Sequence, residues 1–321
     1  MRPALRVWPA RETPGGVDRE ERLARVRPAL FPADDRLLAA ILGVVGAAVV
    51  WISTGRYGPG LTPDSVGYVS AARNVAAGHG LVLYNGSAYI DWPPLYPLLL
   101  AALARTTGAD PIAVARALHA VLFALVIGGT WALLARDLRV RRPLALIGAA
   151  AVLTAPPLLK ASVMAWSEVL FIALVVAFLL VAGSWRRRPR TPALVGMSVL
   201  AALGCLTRYA GIAFLLTGGF VILVTRRRHW RQAVFDSLVF GAVASYPLAL
   251  WLARNLTLSG FAFGPRAPSD AGLGEIATLL FSTIAVWFFP EPPSPILILG
   301  AAGLSMLLAI AARAAPREET D

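Results

Sequence analysis

"YIDWPPLYPLLLAAL", residues 89–103, is the stretch on which the fold of this chain turns. Its apolar part, 93–104, falls well short of the roughly 20 apolar residues that a spanning helix needs. Three arginine clusters follow it: Arg136/Arg139/Arg141/Arg142, "RRRPR" at 186–190 and "RRRHWR" at 226–231. If 93–104 crossed a membrane, the arginine-rich N-terminal segment would oppose all three. If it lies in the interface, with Tyr89, Trp92 and Tyr96 as belt residues, all four clusters share one side. They then hold 20 of the 30 basic residues on the face the positive-inside rule makes cytoplasmic. The second reading is the consistent one.

Around this stretch the chain is apolar almost throughout: 57% hydrophobic, mean hydropathy +0.67, and 15% charged where a soluble domain has about a quarter. The expected class is all-α, a polytopic helical membrane protein. About nine candidate spans read as 37–53, 113–135, 143–158, 168–185, 193–207, 210–225, 233–252, 274–289 and 295–312. Residues 1–36 carry eight arginines and six acids among Pro and Gly and read as a mostly disordered cytoplasmic tail. Residues 37–313 form the membrane domain, with a first outer loop at 54–112 carrying interfacial helices, and 314–321 form a short polar tail. The pI near 11 raises nucleic-acid binding, but short arginine clusters between apolar runs fit topology, so no nucleic-acid partner is expected. The single cysteine, Cys205, excludes an internal disulfide. His79, His119 and His229 have no metal-ligand spacing, and no nucleotide-binding loop is present.

This topology gathers the out-of-place polar residues at the outer face: Asp64, Arg73, Asp91, Lys160, Glu168, Arg208 with Tyr209, and Arg254 with Asn255. Charge near membrane depth is costly and marks function. Each also has a local reading. In "TPDSVGYVSAARN", 62–74, Thr62 can cap a helix, Pro63 suits its first position and Asp64 complements its dipole; that helix stops near Gly78-His79-Gly80. Asp91 before Trp92 suits a turn. Ser167 can cap the span that Glu168 begins, and Lys160 can snorkel to headgroups. Arg208, in "LTRYAG", breaks the charge rule by standing on the outer side.

The ordered set "PDSVGYVSAARNVAAGHG", "DWPPLYPLLLAAL", "SEVLF", "LTRYAG" and "WLARNLTLSGFAFGPRAPS" resembles bacterial polytopic GT-C glycosyltransferases, those of glycosyltransferase family 39 and the lipid A aminoarabinose transferase type. The similarity covers most of residues 37–290. It implies sugar transfer from a polyprenyl-phosphate carrier to a lipid, glycan or protein acceptor, in the inner or plasma membrane with the site facing outward. The family's essential first-loop acid falls on Asp64, as base and acceptor-orienting group. Its second acid falls on Glu168, where Val169 replaces the usual proline. These two acids would hold a divalent cation if one is used. The Pro-Pro element falls on Pro93-Pro94 without a lysine, which leaves Arg208, Lys160 and Arg254 as candidate phosphate contacts; Tyr209, Asp91 and Arg73 complete the expected substrate site. Family members usually continue into further spans and often an outer domain. A compact variant, a truncated product or one half of a two-chain enzyme is therefore expected. A transporter or flippase, or a non-enzymatic partner in surface-glycan assembly, is the alternative.

Overall fold

A computed structural model describes residues 33–265 and 270–288. Among these residues it is all-helical, with two isolated backbone bridges, Gly60–Met164 and Val82–Ala88. The helices are α1 (Ala33–Ser53), α2 (Pro63–Ala76), α3 (Leu95–Thr107), α4 (Pro111–Ala132), α5 (Arg142–Thr154), α6 (Pro156–Val163), α7 (Glu168–Arg187), α8 (Thr191–Thr207), α9 (Ile212–Thr225), α10 (Trp230–Ser259) and α11 (Leu273–Phe288). Helix α4 runs on into a π turn, Leu133–Asp137.

Among the described residues, three helical stretches are long and apolar enough to cross a bilayer: Pro111–Asp137, Glu168–Arg187 and Trp230–Ser259. The expected span 143–158 is a bent pair instead, α5 and α6 meeting at 52°. The cause is Pro156-Pro157: proline disfavours helical geometry in the residue before it, and Ala155 takes up an extended conformation. Counted as one span, the pair makes a fourth. The stretches 37–53, 193–207, 210–225 and 274–289 fall on apolar helical segments of 10–17 residues. The expected span 295–312 and the tail 314–321 lie outside the described residues, as does most of 1–36. Helix α1 starts at Ala33, inside the expected tail, because polar residues readily extend a helix that an apolar run has established. The decisive stretch folds as expected of a short piece: α3 has 13 residues, ends at Gly108 in the left-handed conformation, and packs on α2.

The main core is built by α7, α8, α9 and α10, from Phe178, Trp185, Met197, Phe214, Ile222 and Phe240. Helix α7 has 20 residues, roughly 30 Å of length. At its C-terminal end Arg187 pairs with Asp137, and Arg226 pairs with Asp236 against the Trp185 ring. At its N-terminal end Glu168 pairs with Arg208, which follows α8. The three arginine clusters at 136–142, 186–190 and 226–231 therefore occupy one end of the bundle, and Glu168 and Arg208 the other.

Candidate active site

Two chain crossings assemble the Glu168 end. Gly60 of the first loop is bonded on both sides by the chain around the α6–α7 turn: its N–H donates to the Val163 carbonyl at 2.9 Å and its carbonyl accepts from the Ala165 N–H at 2.9 Å. That pairing brings Thr62, at the head of α2, to Trp166, whose indole N–H donates to the Thr62 hydroxyl at 2.7 Å. Thr62 does stand at the N-cap, but its side chain makes no capping bond to the helix, since its oxygen is committed to the indole. Proline at the first position and Asp64 in the first turn start the helix. The second crossing is the α8–α9 hairpin: extended backbone at Arg208 and a single 3-10 turn at Tyr209–Gly211 reverse the chain.

Between these crossings lies a cleft of about 330 Å³ lined by Asp64, Tyr68, Trp92, Pro93, Thr207, Arg208, Tyr209 and Ala210. Asp64 is exposed, and among the described residues no hydrogen bond or ion pair engages its carboxylate. Across the cleft, Nη1 of Arg208 is ion-paired with Oε1 of Glu168 at 2.6 Å and donates to the Ser167 hydroxyl at 3.2 Å. Ser167 stands before α7 with helical backbone angles and makes no capping bond; its hydroxyl is buried and serves Arg208 and Tyr68 instead.

Tyr68 joins the two sides. It lies one helical turn beyond Asp64, on the same face of α2, and its phenol is 3.3 Å from the Ser167 hydroxyl. Burial pushes that phenol up to about 12, the Ser167 hydrogen bond and the Arg208 charge working against the rise, so it stays protonated at neutral pH. Trp92 meets Tyr68 edge-on at 5.4 Å between ring centroids, and Tyr96 does so at 5.2 Å. The Trp92 ring lies on Gly67, where a β-carbon would come within 2.8 Å of it. Behind this aromatic layer the Tyr96 hydroxyl is 2.9 Å from Nε2 of His119, and Nδ1 of His119 is 3.1 Å from the Ser162 carbonyl. A carbonyl only accepts, so Nδ1 carries the proton, and Nε2 accepts from Tyr96. Burial raises the phenols of Tyr89 and Tyr96 well above their usual range.

The other expected site residues have local partners. Arg73 makes a two-toothed pair with Asp110 at 2.9 and 3.1 Å, which ties α2 to the start of α4. The pair is half-exposed; Arg73 holds the Asp110 carboxyl below its ordinary value, aided by the Ile112 N–H. Arg254 lies over Trp251 and donates to the carbonyl of Tyr89 at 3.0 Å. Asn255, fully buried, binds the carbonyls of Ile90 and Ala262. Arg254 and Asn255 thus fasten the 81–90 segment to α10. Asp91 lies against Gly264, whose positive φ of 76° and close approach leave no room for a β-carbon. Lys160 is exposed, its ammonium 5.9 Å from the Trp166 ring centroid. The cleft therefore collects Asp64, Arg208 and Tyr209 directly and Glu168 through its ion pair, whereas Arg73, Arg254 and Lys160 are engaged elsewhere.

Tyr68 is not marked by the sequence as a site residue, and Tyr96 and His119 read there only as an interfacial belt residue and a histidine without metal-ligand spacing. The one-turn spacing of Asp64 and Tyr68 was the available signal; nothing local marks the Tyr96–His119 contact. No three of the His, Cys, Asp and Glu side chains converge among the described residues. Glu168 faces a guanidinium at 2.6 Å, so a divalent ion placed between it and Asp64 would meet a positive charge. Those two acids do not form a good cation site in this arrangement.

Set against protein-family models, curated proteins and solved structures, the chain finds no match.

Proposed function

We propose that the chain is a membrane glycosyltransferase that moves a sugar from a polyprenyl-phosphate carrier to an acceptor hydroxyl. The observation that carries this reading is an exposed, unpaired carboxylate, Asp64, sharing a small cleft with a guanidinium, Arg208, held by Glu168 and Ser167. The acceptor oxygen attacks the anomeric carbon, the bond from that carbon to the phosphate oxygen breaks, and the hydroxyl proton passes to Asp64. The leaving group is already a phosphate, so it needs positive charge rather than a strong acid; Arg208 supplies it in planar, forked form. Glu168 acts through Arg208, orienting it, which makes it a positioning residue. Tyr68, protonated and fixed by its neighbours, forms the cleft floor between them. In this reading the helices are a multi-pass bundle in the cell membrane. The N-terminus and the arginine clusters are cytoplasmic, and the cleft opens at the outer face.

The test is sugar transfer from defined polyprenyl-phosphate sugars by the purified chain in lipid, wild type against Asp64→Asn. Asn keeps the size and helix-start role of Asp64 while removing the base, so the expected loss in kcat is about 10²- to 10⁴-fold in a folded variant. Equal transfer by both would remove Asp64 from the chemistry. The rival reading, a transporter or flippase, draws on the 52° bend between α5 and α6, since broken helices build transporter sites. It predicts lipid or solute movement across vesicles and no transfer from any donor. Against it, Arg208 stands at a hairpin at the bundle's end, not at an unwound point within a span.

A further inference from the structure

The arginine-rich end of the bundle carries a second polar cavity, independent of the cleft. It has a volume of about 380 Å³ and is lined by Trp185, Pro189, Arg190, Thr191, Pro192, Leu194, Arg226, Gln232 and Asp236. Three segments enclose it: the α7–α8 turn with the helix ends beside it, the start of the α9–α10 turn, and the first turns of α10. Its one acid is fully engaged. Asp236, with 7% of its side chain exposed, accepts from Nε of Arg226 at 3.2 Å and from the Gln232 amide at 2.8 Å. Arg190 is exposed, and among the described residues its guanidinium has no hydrogen-bond or ion-pair partner.

Charge around the cavity is one-sided. Twelve arginines, from Arg136 to Arg142, Arg186 to Arg190 and Arg226 to Arg231, stand at this end with two acids, Asp137 and Asp236. Both acids are already paired, with Arg187 and Arg226. Most of the chain's formal +12 thus belongs to the three clusters at the end of the bundle that carries this hollow, and Arg190 and Arg226 line it. Arginines that merely set orientation need only face water; here Arg190 and the free edge of Arg226 line a cavity, with the Trp185 ring beneath Arg226.

We propose that this cavity binds the phosphate of an anionic phospholipid headgroup, with Arg190 and Arg226 as its ligands. A phosphate suits two forked cations, and a helix bundle of this apolarity would place this end at headgroup level. The experiment measures thermal stability of the purified full chain in neutral detergent, titrated with phosphatidylglycerol, phosphatidylcholine or inorganic phosphate. Phosphatidylglycerol raises Tm saturably, because a ligand bound only by the folded chain stabilises it; phosphatidylcholine does not. Arg190→Gln weakens the apparent phosphatidylglycerol affinity more than about tenfold, because a charge-assisted hydrogen bond to the phosphate is lost together with the charge. Arg231→Gln removes the same charge outside the cavity and changes it by no more than about fivefold, the effect of one arginine at a charged lipid surface. Equal weakening by both variants, or equal response to the two lipids, would mean diffuse charge and overturn the site. An equal response to inorganic phosphate would overturn the headgroup as its ligand.

Discussion

Replacing Glu168 with glutamine separates two roles for that acid. The Arg208–Glu168 pair is 2.6 Å long with side chains 36% and 34% exposed, so solvent screens it and its loss costs less than about 1 kcal/mol of stability. Its effect on an anion in the cleft is larger. A phosphate held by the other edge of Arg208 would sit about 5–6 Å from the Glu168 carboxylate. Repulsion at that range is about 0.8 to 3 kcal/mol for an effective dielectric between water and a protein surface. Removing the charge should tighten donor binding about four- to 150-fold. The assay is a donor titration of wild type and Glu168→Gln in the same lipid, with Tm as the fold control. The expected result is a lower KM and a kcat that falls far less than in Asp64→Asn. A kcat loss of about 10²-fold or more at unchanged KM would make Glu168 a base in its own right. It would also refute its assignment as the residue that orients Arg208.

Two further predictions concern the frame of the cleft. Tyr96→Phe removes the donor to a fully buried His119 nitrogen and should lower unfolding stability by about 1–3 kcal/mol, read by denaturant or thermal unfolding in micelles; an unchanged midpoint would show that the contact contributes nothing. Asp110 has its carboxyl pKa depressed by Arg73 when folded, so its contribution is present above the unfolded value near pH 4 and fades as pH falls through the folded value. In a Tm profile from pH 6 to pH 2, Asp110→Asn should lack that acid-side loss while keeping the helix cap, and a parallel profile would refute the pair's role.

What could be read from the sequence follows the range of the interactions concerned. Apolar runs, the shortness of 93–104 and the prolines that start helices act within a few residues. Helical class, the start of α2 and the stop near Gly78 are legible for that reason. The break around Arg208 was legible too, since a charged residue followed by a short turn interrupts an apolar run. The bend at Pro156 is invisible to hydropathy, which runs through it, and shows only in the Pro156-Pro157 pair. The uses of hydroxyls were not legible. Thr62 and Ser167 both stand at helix starts, where a hydroxyl ordinarily caps. Each instead bonds a side chain far along the chain, Trp166 for one and Arg208 and Tyr68 for the other. Local sequence is the same for a cap and for such a crosslink, so only the packed chain distinguishes them.

The same reasoning explains why the charged residues divide as they do. Arg254 and Arg73 each have acceptors brought to them by a neighbouring element, carbonyls of 81–89 and the carboxylate of Asp110. Their charge serves to join segments. Asp64 has no such partner, although a carboxylate in the first turn of a helix needs none for stability beyond the dipole. What sets it apart is the opposite wall: a guanidinium fixed at two points by residues from another helix start, with a buried phenol between. A helix-start acid alone would not call for that wall. The packing of Tyr68 on Ser167, and of Tyr96 and His119 behind it, fastens α2 to the wall that carries Arg208, and the proposed transfer between two bound molecules would depend on that placement more than on either charge.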